Sequence, residues 1–349
     1  MPYQIHTSLT FPHFFPNVFL VHELGFETGE WLKMRWGGTT KDEWGERFRF
    51  TVFNDDEYPM PNRLRIEWIA IAERKIYELD THLNPQRMEQ LWQQTDEDGD
   101  PIYTHINCGV APHGGVALWL HGPQRQTLVG WFKGNVTEGT KKLPFNLTVN
   151  KFCYDYISGS DPELGKHLRE DEVPDAIVYD RMMQQHCYRI RPLLQKWDKE
   201  NNQWIDYDAE KEGDKMPTVE TLEVKCHDGT YDRMHDGYLE RFHEAGLPRR
   251  ITVNWNVGKR LYTAYFFITN VEKMTNLLRR ITMMSLEEKV DFELRIDPEQ
   301  ERFVVCLNNG EMGEPIELTD SIVDVMVFRN RLECYRNPNY SQPKGAWQW

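Results

Sequence analysis

Residues 61–68 read PNRLRIEW and residues 248–255 read PRRITVNW, and 248 − 61 and 255 − 68 both give 187. Both stretches alternate with period two. Leu64, Ile66 and Trp68 share one face of the first, Ile251, Val253 and Trp255 one face of the second, and polar or charged residues take the other faces, as half-buried strands require. A proline opens each, where a strand tolerates one. A further strand-like segment follows in both, Lys75-Ile76-Tyr77 and Arg260-Leu261-Tyr262, with the separation slipping to 262 − 77 = 185 at a turn that Gly258 marks in the second copy. A helical pattern comes next: Met88, Leu91 and Trp92 recur as Met274, Leu277 and Leu278 at i, i+3 and i+4. Asn84 before Pro85, and Asn270, are helix-start residues. Then Ile106, Cys108, Val110 and Pro112 match Phe292, Leu294, Ile296 and Pro298, and a hairpin returns through Leu118 and Leu120 against Val304 and Cys306.

Strand-like runs lie upstream of each copy, Phe48 to Phe53 and Val219 to Lys225. The order strand, strand, helix, hairpin predicts the α+β class: two tandem related units, each a mainly antiparallel sheet with a helix packed on one face. The expected divisions are a first repeat unit at 1–137, a structured acidic connector at 138–217, a second unit at 218–336 and an irregular tail at 337–349. Within the connector, Val178 to Ile190 reads as a helix that Pro192 would close.

A chain of 349 residues suits two medium domains, and 40% hydrophobic with 13% aromatic residues suits a folded one. Lys plus Arg is 41 and Asp plus Glu 55, a net charge of −14, which repels phosphate backbones and favours a basic or membrane-active protein partner over nucleic acid. No apolar run approaches the roughly 18 residues a spanning helix needs. Residues 1–20 lack a basic start and carry Pro2, Pro12 and Pro16, so they do not read as a signal peptide. The six cysteines, Cys108, Cys153, Cys187, Cys226, Cys306 and Cys334, are scattered without a CxxC pair, against both a zinc ribbon and a dense disulfide scaffold.

Catalytic and ligand motifs fail one by one. No serine sits in G-x-S-x-G, and Ser158 and Ser160 read as a turn. His22-Glu23 meets Phe26 where H-E-x-x-H needs its second histidine. Cys226, His227, His235 and His243 are spaced too widely for a short metal motif. Counting from Asp96, a calcium loop would need Gly at the sixth place and Glu at the twelfth, which hold Pro101 and Asn107. In the cluster Gly109, Gly114, Gly115 and Gly122, Gly115 leads into strand-like Val116 to Leu120 and not into a helix, so it reads as a hairpin turn and not a phosphate cradle. No catalytic residue, metal or cofactor is expected.

Taken together, Pro2 to Trp31 (PYQIHTSLTFPHFFPNVFLVHELGFETGEW), the strand PNRLRIEW with Tyr77, and Gly109 to Gly122 (GVAPHGGVALWLHG) resemble a family of uncharacterised bacterial proteins. Its members are often exported lipoproteins, and some lie beside lipase effectors of the type VI secretion system as immunity partners. The resemblance covers Pro2 to about Gly134, and more weakly Pro248 to Asn330. It implies a non-enzymatic protein that binds and blocks a toxin, in the periplasm when the toxin is a phospholipase acting there, and it carries no catalytic residues to transfer. The family's lipobox cysteine and signal are missing from these residues. The expected location is therefore the periplasm if an export signal was removed before Met1, and the cytoplasm if the sequence is complete.

The leading expectation is an immunity protein that occludes a toxic effector, with acidic loops steering association and aromatic anchors filling a groove. Candidate contacts are the turn Asp96, Glu97, Asp98 and Asp100, the patch Asp55, Asp56 and Glu57, and the connector acids Glu170, Asp171 and Glu172. Each alone reads as an ordinary solvated charge; only a cluster would matter. The competing readings are a hydrolase with a carboxylate and histidine site assembled from distant segments, and an envelope carbohydrate-binding module in which Trp68 and Trp119 would stack on sugars.

Overall fold

The structure, a computed structural model, describes residues 3–12, 15–33, 44–45, 57–137, 148–159, 173–212, 216–234, 242–283, 289–297, 302–310, 314–319, 323–329 and 333–335. Strand outweighs helix, 55% against 17%, and the chain forms several sheets, which overturns the α+β expectation in favour of a mostly β architecture. Geometry explains the correction. The amphipathic helix of the first copy has 8 residues, about 12 Å of length, whereas five strands side by side span about 19 Å. A helix that short cannot cover the sheet, and a second sheet does so.

Two compact units divide the chain: Met1–Met183 with Asp228–Thr230, and Gln184–His227 with Tyr231–Ala346. The residues read as a connector are shared between them. The first unit holds β1 (Tyr3–Gln4), β2 (His6–Thr10), β3 (Asn17–Gly25), β4 (Trp31–Lys33), β5 (Glu57–Tyr58), β6 (Arg63–Ala70), β7 (Lys75–His82), α1 (Pro85–Trp92), β8 (His105–Ala111), β9 (Gly115–His121), β10 (Arg125–Lys133), β11 (Asn135–Val136), α2 (Val149–Gly159) and α3 (Ala176–Met182). One sheet runs β4-β3-β6-β7-β11, another β2-β8-β9-β10, and β1 pairs with β5. Leu64, Ile66 and Trp68 from the first sheet meet Ile106, Val116 and Leu118 from the second in one core, with Met88 of α1 packed in.

The second unit holds β12 (Gln185–Asp198), β13 (Gln203–Asp206), α4 (Ala209–Glu212), β14 (Thr218–Cys226), β15 (Tyr231–Met234), β16 (His243–Gly246), β17 (Pro248–Val257), β18 (Arg260–Ile268), α5 (Val271–Thr282), β19 (Val290–Asp297), β20 (Arg302–Asn308), β21 (Ile316–Glu317), β22 (Val323–Arg329) and β23 (Glu333–Tyr335). Its sheets run β15-β14-β17-β18-β22-β23 and β13-β12-β19-β20-β21, with β16 also on β12. Ile251, Val253, Trp255, Phe292, Leu294, Met274 and Leu278 share its core.

The pairings follow one scheme in both units. β2 is parallel to β8 as β12 is to β19. β3 is antiparallel to β6 as β14 is to β17, and the hairpins β6–β7 and β17–β18 lead into the helices. After the second hairpin, β10 and β21 continue their sheets, and β11 and β22 return to β7 and β18. Trp68 stacks on Tyr77 at 5.4 Å and 21°, and Trp255 on Tyr262 at 5.5 Å and 9°. Asn84 accepts from the Arg87 backbone N–H at 3.0 Å and Asn270 from that of Lys273 at 2.9 Å, each satisfying one orphan donor at a helix start. The two-residue slip in spacing is a turn: four residues separate β6 from β7, and two, including Gly258 at φ 59°, separate β17 from β18.

Two local expectations need correcting. The predicted helix Val178 to Ile190 ends at Met182, and from Gln185 the chain is the 14-residue strand β12. Tyr188 and Ile190 alternate into the core at 2% and 1% exposure, which is strand periodicity. Pro192 sits where β19 alone flanks β12, between the segments that pair with β16 and β13. Ser158 belongs to α2, where its hydroxyl donates to the Asp155 carbonyl, and not to a turn. The predicted strand Phe48 to Phe53 and the tail lie outside the described residues.

Candidate functional site

The acidic turn between α1 and β8 is built by Asp96. Its carboxylate accepts from the backbone N–H of Asp98 at 3.1 Å and of Asp100 at 2.9 Å, while its own N–H donates to the Asp100 carbonyl at 2.9 Å. Gly99, at φ 86°, supplies the left-handed residue the reversal requires. Asp96 is consumed by the turn and only partly exposed, so Glu97, Asp98 and Asp100 are the carboxylates offered to solvent. Glu57 is exposed on β5 and lies opposite Gln4. Beside Gln4, the Tyr3 hydroxyl donates to Glu89 at 2.8 Å and accepts from Gln93 at 3.2 Å, and its ring meets Trp92 edge-on at 6.2 Å. β5 is thus tied through β1 to the end of α1 from which the turn departs. Asp55, Asp56, Glu170, Asp171 and Glu172 lie outside the described residues.

Two buried polar clusters were not foreseen. In the first, the Gln126 amide donates to the carbonyls of Gly45 at 2.5 Å and Gly229 at 2.7 Å. Carbonyls only accept, so this fixes the amide, and its oxygen must face the Nδ1–H of His121 at 2.8 Å and the Asn107 amide at 3.2 Å. Ser8 donates to Asn107 at 3.0 Å, and the Trp119 indole to the Asp228 carbonyl at 3.0 Å. In the second, Glu73, 5% exposed, accepts from the Tyr77 hydroxyl at 2.7 Å and the His113 backbone N–H at 2.9 Å. The His113 ring donates through Nε2 to the Pro174 carbonyl at 2.8 Å, and His113 itself takes φ 58° in the β8–β9 turn. Burial, with Glu73 close by, pushes the Tyr77 hydroxyl far above its ordinary range. Both clusters spend their donors and acceptors on backbone groups and on one another, which is the behaviour of structural ties. Their signal in the sequence was faint: polar residues standing at inward positions of otherwise apolar strands.

Trp68 and Trp119 are fully buried, so neither can stack on a sugar. Cys108, Cys153, Cys187, Cys226 and Cys306 are free thiols, and burial raises that of Cys108 to about 12, well out of the nucleophilic range. His227 and Cys226 are buried, and His235 lies outside the described residues. Among the described residues, no group of three or more His, Cys, Asp or Glu is placed to hold a metal ion, and no helix is long and apolar enough to cross a membrane.

Against known families, residues 5–189, more than half of the chain, match the model described as a protein of unknown function, DUF2931. The chain belongs to the DUF2931 family. The comparisons with curated proteins and with solved structures give no match. The matched segment of this DUF2931 protein takes in the acidic turn, Glu73 and Gln126 with its partners Gly45, Asn107 and His121, and stops just inside β12. The second unit therefore repeats the strand scheme beyond the segment that defines the family.

The DUF2931 core of the first unit also contains a mismatch. His22 on β3 is 2% exposed, and neither ring nitrogen has a hydrogen-bond partner. Burial lowers its pKa to about 4, and burial with Arg249 nearby lowers that of His227 to about 3. A histidine held neutral when folded but titrating near 6.5 when unfolded keeps its full contribution above pH 6.5. That contribution is lost as pH falls, and the loss is complete once pH passes the folded value. For His22 it amounts to about 3 kcal/mol. In the second unit the matching position is Leu222, opposite Val253 as His22 is opposite Ile66. His22→Leu should raise the thermal midpoint at pH 7 and flatten its decline between pH 6.5 and 4; an unchanged pH profile would mean that another group causes the decline.

Proposed function

We propose that this DUF2931 chain is a binding protein that occludes a toxic effector, with the acidic turn at Asp96–Asp100 as the point of first contact. The resemblance to immunity partners of secreted lipases supplies the partner's class, a phospholipase. The observation that carries the reading is the preorganised turn: Asp96 clamps the backbone, so Glu97, Asp98 and Asp100 project without an ordering cost on binding. The net charge of −14 supports fast capture of a basic surface. Tyr3 and Trp92, packed together at the neighbouring helix end, supply aromatic surface on the element from which that turn departs.

Charge reversal tests this. Glu97→Lys, Asp98→Lys and Asp100→Lys together leave the Asp96 clamp intact. They should slow association with the effector about tenfold or more at low salt, with the gap closing as salt rises. The thermal midpoint should hold. An association rate and salt slope equal to those of the unaltered protein would remove the turn from the interface.

A further inference from the structure

The strand residues that alternate with the core positions of β14, β17 and β18 make a face of the second unit that differs in kind from its counterpart in the first. In the first unit, Arg65 is set opposite Asp80, and Arg63 holds Asp80 in a two-pronged ion pair at 2.6 and 2.8 Å, an ordinary solvated charged face. At the matching register of the second unit, Thr252 stands opposite Tyr265 and Arg250 opposite Phe267. Arg65 and Asp80 have given way to a hydroxyl and a ring, while the arginine at the Arg63 position is kept as Arg250. Tyr265 and Phe267 stack at 6.2 Å and 20°, half-buried, and the Arg250 guanidinium lies 5.7 Å from the Tyr265 ring centre.

The polar side chains of this face are held in fixed orientations. Asn254 donates to Thr221 at 2.6 Å and accepts from Thr263 at 2.5 Å, and Arg250 donates to Glu223 at 2.8 Å. At its centre, two buried polar atoms have no hydrogen-bond partner: the Thr252 hydroxyl, on a residue 7% exposed, and Arg250 Nε. A buried donor left unmade costs about 1–3 kcal/mol, so a ligand that reaches these atoms gains what the protein alone forgoes.

Charge decides the occupant. Lys225, Arg233 and Arg250 on the face and its border stand beside Glu220 and Glu223, so neither sign dominates. With both signs present, the balance offers nothing to a polyanion or to a strongly basic surface. What fits aromatic rings beside fixed amide, guanidinium and hydroxyl groups is an uncharged molecule with both C–H faces and many hydroxyls. We propose that this face of the second unit binds a neutral oligosaccharide, with Tyr265 and Phe267 as the stacking platform and Arg250, Thr252 and Asn254 as hydrogen-bonding partners.

The test uses the full chain with cellohexaose, maltohexaose and chitohexaose, read by saturation-transfer NMR and calorimetry. At least one should bind, Tyr265→Ala should weaken it about tenfold or more, and Tyr265→Phe should restore it to within about threefold. Should Tyr265→Ala fail to fold, Phe267→Leu is expected to show the same loss at preserved volume. Absence of binding to all three sugars, unaltered binding by the variants, or preference for a sulfated glycan over its neutral counterpart would each overturn the proposal. The acidic turn is not involved, so a failure here leaves the effector-binding reading standing, and the reverse also holds.

Discussion

Replacing Gln126 with leucine should lower the thermal midpoint of the first unit by about 10 °C, because the substitution keeps the volume and removes four hydrogen bonds at once. The carbonyls of Gly45 and Gly229, the Asn107 amide and the Nδ1–H of His121 all lose their Gln126 partner. Gln126 is 1% exposed, so water cannot replace it without the strands parting. The Gly45 carbonyl and the Asn107 amide keep a bond to each other at 3.3 Å, so the loss falls mainly on the Gly229 carbonyl and the His121 N–H; at about 1–3 kcal/mol for each such group, a total near 4 kcal/mol is a large share of a stability of about 5–15 kcal/mol. Thermal unfolding followed by tryptophan fluorescence reads the effect directly, since Trp119 is anchored in the same region through Asp228. A midpoint within about 2 °C of the unaltered protein would mean that the network is dispensable.

Gly122→Ala should be comparably severe for a different reason. A β-carbon at Gly122 would lie 1.6 Å from the Ile102 carbonyl oxygen and 2.7 Å from its carbon, inside covalent contact with backbone that has no rotamer to change. The turn from β9 to β10, closed by the Gly122 N–H to the Arg125 carbonyl at 2.8 Å, would have to move away from the segment entering β8. Overpacking of this kind costs about 3 kcal/mol or more. Gly159→Ala, at the end of α2 with nothing within 4 Å, is the control and should be neutral or slightly stabilising. Urea midpoints for the two variants settle the matter: equal midpoints would contradict the close approach at Ile102.

These two sites show where the sequence is readable and where it is not. The alternation of Leu64, Ile66 and Trp68, and of Ile251, Val253 and Trp255, carried through to six fully buried side chains because burial on one sheet face is a local, period-two property. Asn84 and Asn270 were legible as caps for the same reason: a cap is a contact three residues long. The fold class was not legible. It depends on whether a helix or a second sheet covers the alternating face, and strands such as β2 and β8 find each other across about a hundred residues of chain. Val178 to Ile190 misled because two apolar periodicities meet there within one short run, a helix to Met182 and a strand from Gln185.

The candidate site was readable only in part. Glu97, Asp98 and Asp100 stand out by charge alone, but that Asp96 is spent on holding the turn is a matter of backbone geometry. Gln126 and Asn107 carried only a faint signal, since amides on strands are common and the Gln126 partners Gly45 and Gly229 lie 81 and 103 residues away. The face around Tyr265 becomes conspicuous only when the register is known and Asp80 and His82 can be set against Tyr265 and Phe267.

Titration of a phospholipase effector of the proposed class with this chain tests most directly whether it is a blocking protein. Effector activity should fall linearly and vanish near one equivalent, with a stable complex recovered by size exclusion. Full effector activity in the presence of excess chain, or turnover of a substrate by the chain itself, would contradict that role.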